Sequence, residues 1–400
     1  MKREPENSTG RRIKEVSDSS EWDDLFKGGT LKTSKTFEDC EYDGYLVKFD
    51  LSFGDMYVHP SRPVDVRLND CVFTGKVRIY SRERNLTFEN CEFHSEMDAS
   101  ESRINGKIRF MSCVFLGSTN FRNTKFKDLA DFWRSTFQQK TVFYKTDFLG
   151  TAVFSATTFE KNVLFTYTLI EKLILFRGTK IREGIDLSTA IITGSVGTFG
   201  LSLWDFKEKK GKLSDTEFES AVSESGDIPI KNKRETFRIL KQANIQQNNV
   251  IESLPYQALE KKTLLTELLD TLQKPDTFKE WWRSFWDLIV LGLNWISNYF
   301  GRAPMQGVIF TLTVGVLFFY LNIIQTEKYE VALNLDWNIV RKEIPNYLNF
   351  ILPTHGLDYL GSEFYEKYSV SNWYYVWDIV GRIFVGFGIY QTIQAFRKFR

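Results

Sequence analysis

Asp378 and Arg382 stand four residues apart in NWYYVWDIVGRIFVGFGIYQTIQAF, where they are the only charged residues. Four residues is one helical turn, so carboxylate and guanidinium share a face, and Gly386 continues it. An ionisable residue in so apolar a run is expected to face protein or a water-filled path rather than lipid. Asp378, Arg382 and Gly386 are therefore the candidates for lining a pore; the competing reading is an ion pair near a helix end, its Arg snorkelling outward. A second set offers different chemistry: Arg103, Lys125, Trp133, Arg134, Tyr144 and Lys145, with Tyr167, place cations beside aromatic rings. Phosphates take such charges and bases stack on such rings, so a single-stranded oligonucleotide or a nucleotide is the ligand this surface would hold. A solvated repeat surface is the plainer alternative. No motif supports catalysis. The three histidines (59, 94, 355) are scattered, the four cysteines (40, 71, 91, 113) form no C-x-x-C pair, and neither a phosphate-cradling glycine loop nor G-x-S-x-G occurs. No enzyme, metal or cofactor is expected.

The elements that must position these residues are written in a rhythm. In FWRSTFQQKTVFYKTDFLGTAVFSATTF, phenylalanines fall at 132, 137, 143, 148, 154 and 159, in alternating steps of five and six. Extended both ways, one phase runs Phe88, Ala99, Phe110, Phe121, Phe132, Phe143, Phe154, Phe165, Phe176, Leu187 and the other Phe93, Ile104, Phe115, Phe126, Phe137, Phe148, Phe159, Ile170, Ile181, Ile192. Two residues before each member of the second phase stands a small side chain, such as Cys91, Ser102, Cys113, Thr124 or Ser135. Neither a helical nor a strand period explains steps of five and six, and period-2 alternation does not keep an eleven-residue register, so an ordinary β-sandwich fits poorly. Stacked coils do fit, each unable to bury its apolar side alone. Residues i and i−2 of an extended segment face one side, and four short sides close a coil of 22 residues. Cys91 and Cys113, 22 apart, then stack as small inward residues.

This pairing of a central apolar residue with a small one at i−2 resembles the pentapeptide-repeat proteins, over about residues 36–206. The resemblance implies a right-handed quadrilateral β-helix. The extra residue in alternate repeats departs from the family and puts two of the four corners in question. The less regular coils upstream are expected to cap the stack, after a polar N-terminal segment (1–35).

The net charge of +1 hides an asymmetry. Residues 36–101 hold 7 Lys+Arg and 14 Asp+Glu, whereas 102–182 hold 14 and 5. A basic half suits a polyanion, anionic lipid or the acidic half of a neighbour. Better-known cytosolic members of the resembled family imitate DNA with acidic surfaces, which this half does not.

Beyond the repeats, 207–231 reads as a flexible linker and 232–274 as two helices paired in a hairpin. The 24 uncharged residues between Arg302 and Glu327 are long enough to cross a bilayer. The run opening with Trp373, Tyr374, Tyr375 and Trp377 is a second span, ending in Arg397, Lys398 and Arg400. Residues 303–400 thus form a two-span hairpin with an outer loop at 326–371, whose 4 Lys+Arg and 7 Asp+Glu suit the outer side. The segment 347–361 of that loop, with Pro353 and His355, has the composition to dip back. Residues 278–300, rich in Trp, are expected to lie in the interface. With no secretory signal at its start, the rod is expected in the cytoplasm of a bacterium, with the hairpin in the inner membrane.

Two spans cannot enclose a pore, so a channel requires a homo-oligomer. The layout is similar to that of membrane effectors of bacterial antiphage defence, among them the DNA-oligomer-regulated channel of the Hailong system. That likeness implies a channel gated by a ligand or partner on its cytoplasmic β-helix. The alternative is a membrane-anchored scaffold that binds a cytoplasmic protein without conducting.

Overall fold

The computed structural model describes residues 13–25, 44–54, 65–211, 213–273, 275, 277–329 and 337–397. Two compact units meet between Asn249 and Val250.

The first unit is a parallel β-solenoid. Its short strands form four sheets of nine, seven, seven and five strands, every neighbouring pair parallel. Partners lie one 22-residue coil apart, as in Arg103 with Lys125 and Phe115 with Phe137. Nineteen of the twenty rhythm positions are buried, and Ile192 at the end is half-buried. Their rings stack in columns, with centroids 4.4 to 5.6 Å apart and planes within 15° from Phe88 onward. Strand spacing near 4.8 Å imposes that separation, so an aromatic ladder follows from the register.

The two step lengths make two kinds of corner. From Phe121 onward a β-turn closes within each five-residue step, as in Ser135 N–H to Phe132 O at 3.2 Å and Thr157 N–H to Phe154 O at 3.1 Å. Its third residue has positive φ: Glu101, Ser112, Asn123, Arg134, Lys145, Ala156 and Tyr167 recur every eleven residues, followed by Gly178. One positive φ at that place defines a type II turn. The six-residue steps turn without positive φ at any described non-glycine residue. The extra residue therefore widens alternate corners and leaves the stack regular.

Unlike the polar segment expected at 1–35, Ile13–Val16 is a strand paired with Gly44–Val47, because Ile13 and Val16 supply apolar side chains to the first coil. Helix α1 (Ser19–Leu25) follows, and its Trp22 packs edge-on against Phe73. At the other end the expected flexible linker is replaced by order. Helix α2 (Asp215–Ser220), with a capping box from Ser214 and Glu217, runs into a π-turn at Ala221–Ser225, and Ala221 and Val222 are fully buried. Helix α3 (Ile230–Gln246) then packs its Phe237, Leu240 and Thr236 on the last strands. The ladder explains its place: Phe143 N–H bonds Leu164 O and Phe165 N–H bonds Asp186 O, but Leu187 has no further coil and donates to Thr236 Oγ1 at 2.9 Å.

The second unit holds α4 (Val250–Gln273), α5 (Phe278–Asn298), α6 (Pro304–Ile323), α7 (Trp337–Ile351), α8 (Ser362–Lys367) and α9 (Asn372–Phe396). The expected hairpin at 232–274 is corrected: α3 belongs to the first unit and α4 to the second, where it packs on α5. Two helices, α6 and α9, are long and apolar enough to cross a membrane, and only about a third of each is buried. They run antiparallel in close contact. A β-carbon on Gly307 would collide with Thr392, and one on Gly388 with Thr311, so glycine permits the approach. Gly386, two residues before Gly388, has open space at its α-carbon. The segment expected as an outer loop folds back along α6: Tyr347 Oη donates to Leu312 O at 2.8 Å, and Phe350 joins Phe318, Phe319, Tyr359 and Tyr374 in one aromatic core.

Candidate functional sites

In the first unit the corners decide which candidate residues meet. Arg134 and Lys145 are positive-φ corner residues, and Trp133 and Tyr144 precede them in their turns. Turns 22 residues apart share an edge, so Arg122, Tyr144, Lys145 and Tyr167 lie along one edge, while Trp133 and Arg134 lie half a coil away. Arg103 and Lys125 stack on the face that leaves the first edge. The six candidates thus divide into two places.

On the shared edge, the Arg122 guanidinium and the Lys145 ammonium each stand over the Tyr144 ring, 4.9 and 5.0 Å from its centroid, and Tyr167 meets it edge-on at 5.6 Å. Cations and ring are held together by the ring quadrupole. Tyr144, expected to be an exposed ring, is 5% exposed. The segment after the coil crosses it, and the phenol donates to Glu219. Burial, together with that carboxylate, pushes the phenol up to about 12. Lys125 pairs with Asp147 at 2.8 Å on the next coil. On the other edge, Arg134 covers its neighbour Trp133 at 4.9 Å, and Trp133 is 41% exposed.

In the second unit Asp378 is fully buried on α9. Arg382 grips one carboxylate oxygen through Nε at 2.9 Å and Nη2 at 2.7 Å, while His355 Nε2 meets the other at 2.8 Å. A buried carboxylate is tolerated when charge and hydrogen bonds answer it. The 347–361 segment supplies His355, whose Nδ1 lies 2.6 Å from Leu352 O. Sequence reasoning set His355 aside as scattered, although it was the histidine of the segment with the composition to dip back. Further polar bonds lie in the buried aromatic core beside His355: Tyr359 Oη donates to Asn322 Oδ1, and Asn322 Nδ2 to Tyr374 O, both at 2.8 Å. Gly386 stands clear of this cluster, one turn beyond Arg382.

Cys71, Cys91 and Cys113 stack as free, buried thiols, and Cys40 lies outside the described residues. Among the described residues no cluster of His, Cys, Asp and Glu could hold a metal ion.

A family model described as pentapeptide repeats (9 copies) matches residues 99–147, within the most regular coils. No curated protein and no solved structure matches the chain. The matched repeats and the four parallel sheets together identify residues 99–147 as the centre of a pentapeptide-repeat β-helix, in a chain that continues into two helices able by length and composition to cross a bilayer.

Proposed function

We propose that this chain is a membrane effector of a bacterial inner membrane. Its right-handed β-helix would take a single-stranded oligonucleotide or nucleotide on the cytoplasmic side, and several copies of the α6–α9 hairpin would surround a gated pore, as an antiphage channel of the Hailong kind requires. The observation that carries the reading is Asp378, a fully buried carboxylate on a helix of spanning length. Ionisable groups at such places ordinarily serve a conduction path or a switch. The basic face of Arg103 and Lys125 and the edge of Arg122, Tyr144 and Lys145 supply the ligand chemistry. Flanking cations at Arg302 and Arg397 favour cytoplasmic ends for both helices.

Purified protein in liposomes is expected to pass ions, and Asp378→Asn or Arg382→Ala to change that flux at least severalfold. Absence of flux in every ligand state would remove the channel. One observation favours a second reading, an anchored scaffold for a cytoplasmic protein. Asp378 is paired with both Arg382 and His355 within a single chain, as an ion pair that merely locks a helix hairpin would be.

A further inference from the structure

The segment that crosses the basic edge has the composition of a competing ligand. Residues 213–228 carry Asp215, Glu217, Glu219, Glu224 and Asp227 and no Lys or Arg. The coil beneath them belongs to the half where cations outnumber acids 14 to 5. Three bonds dock the segment: Tyr144 Oη donates to Glu219, Thr166 Oγ1 to Val222 O, and Asn162 Nδ2 to Gly226 O at 2.7 Å. Gly226 turns with φ +79° against the stem of Lys140. The Glu219 carboxylate thus sits at the tip of the ring that Arg122 and Lys145 flank, where a phosphate of an anionic ligand would sit. Tyr144 is buried, with Arg122 and Lys145 over its ring and the segment on its hydroxyl.

We infer that residues 213–228 are a displaceable acidic strap that occupies the anion site in cis. This rests on the proposal that the edge takes a single-stranded polynucleotide. A chain of phosphates outcompetes one carboxylate by multivalency and counterion release. Once Glu219 leaves, its place beside Arg122 and Lys145 is open to a phosphate. The strap runs directly into α3, which starts at Ile230 and closes the coil, so its departure acts on the helix that leads out of the unit. The π-turn at Ala221–Ser225 is a backbone feature found frequently at functional sites.

Fluorescence anisotropy with a labelled short single-stranded DNA tests this on the full chain in detergent. Glu219→Gln, which keeps the hydrogen bond and removes the charge, is expected to tighten binding at least fivefold. Arg122→Glu with Lys145→Glu is expected to lose it. In the unaltered chain, hydrogen exchange over 213–228 is expected to rise when the DNA is added. Equal affinities for Glu219→Gln and the unaltered chain, with loss in the double variant, would overturn the strap and leave the ligand site standing. Binding that is absent throughout, or indifferent to the double variant, would remove the ligand site and the strap with it.

Discussion

A hydroxyl repeated every eleven residues does more in this coil than keep its slot small. Ser102, Thr124, Ser135, Thr146, Thr157, Thr168 and Thr179 each donate to a main-chain carbonyl of the preceding coil at 2.6 to 2.7 Å. The acceptor is often the carbonyl that also closes a β-turn, as Phe143 O takes both Thr146 N–H and Thr168 Oγ1. Thr168→Val therefore removes one of two bonds to that oxygen and is expected to cost about 1 kcal/mol, read as a fall of roughly 2–4 °C in the thermal midpoint. Conformation gives a prediction of opposite sign. Ala156 is exposed and held at φ 58°, where a β-carbon costs about 1–2 kcal/mol. Ala156→Gly relieves that strain against a smaller loss in the unfolded chain, so the midpoint is expected to rise by a few degrees. Charge behaves similarly at Asp186, which is fully buried and accepts from Asn232 Nδ2 at 2.9 Å. Burial raises its pKa above the ordinary 3.8 despite those bonds. The folded chain thus keeps a proton that the unfolded chain releases. Its contribution to stability is greatest below 3.8 and is lost as pH rises through the folded value. Denaturant titrations against pH are expected to show a shallower loss over that range in Asp186→Asn.

Helices meet other demands where they end a sheet or cross one another. The α3 cap replaces a missing coil, and Thr236 supplies the acceptor that Leu187 N–H would otherwise find on a further strand. Thr236→Val leaves that buried donor without its acceptor. It is expected to cost about 1–3 kcal/mol, more than Thr168→Val, because a lost sole partner exposes the full desolvation penalty. The α6–α9 pair depends on closeness. Gly388→Leu would drive a side chain into Thr311, whereas Gly386→Leu enters open space. In detergent, the first variant is expected to lower the melting temperature by several degrees and the second to leave it within about one degree, since surface changes rarely exceed 0.5 kcal/mol.

Across the whole molecule, the division at Asn249 separates a repeat stack from a helical unit. Solenoids need polar caps to stay soluble. A chain ending at 249 keeps α3 and is expected to elute as a discrete species in size-exclusion chromatography. One ending at 206 uncovers the last strands and is expected to aggregate. What the sequence determined is local and repetitive. Phenylalanines in alternating steps of five and six fit stacked coils, because each step moves to the next wall and every fourth returns to the same one. Likewise, 24 uncharged residues before Glu327 make a helix long and apolar enough to cross a bilayer. Tertiary structure decided what periodicity does not encode. The acidic segment after the coil closed over Tyr144. His355 reached Asp378 from 23 residues away because the aromatic core of Phe350 and Tyr359 folds its segment back. These contacts join residues with no shared period, through packing that depends on every neighbour at once.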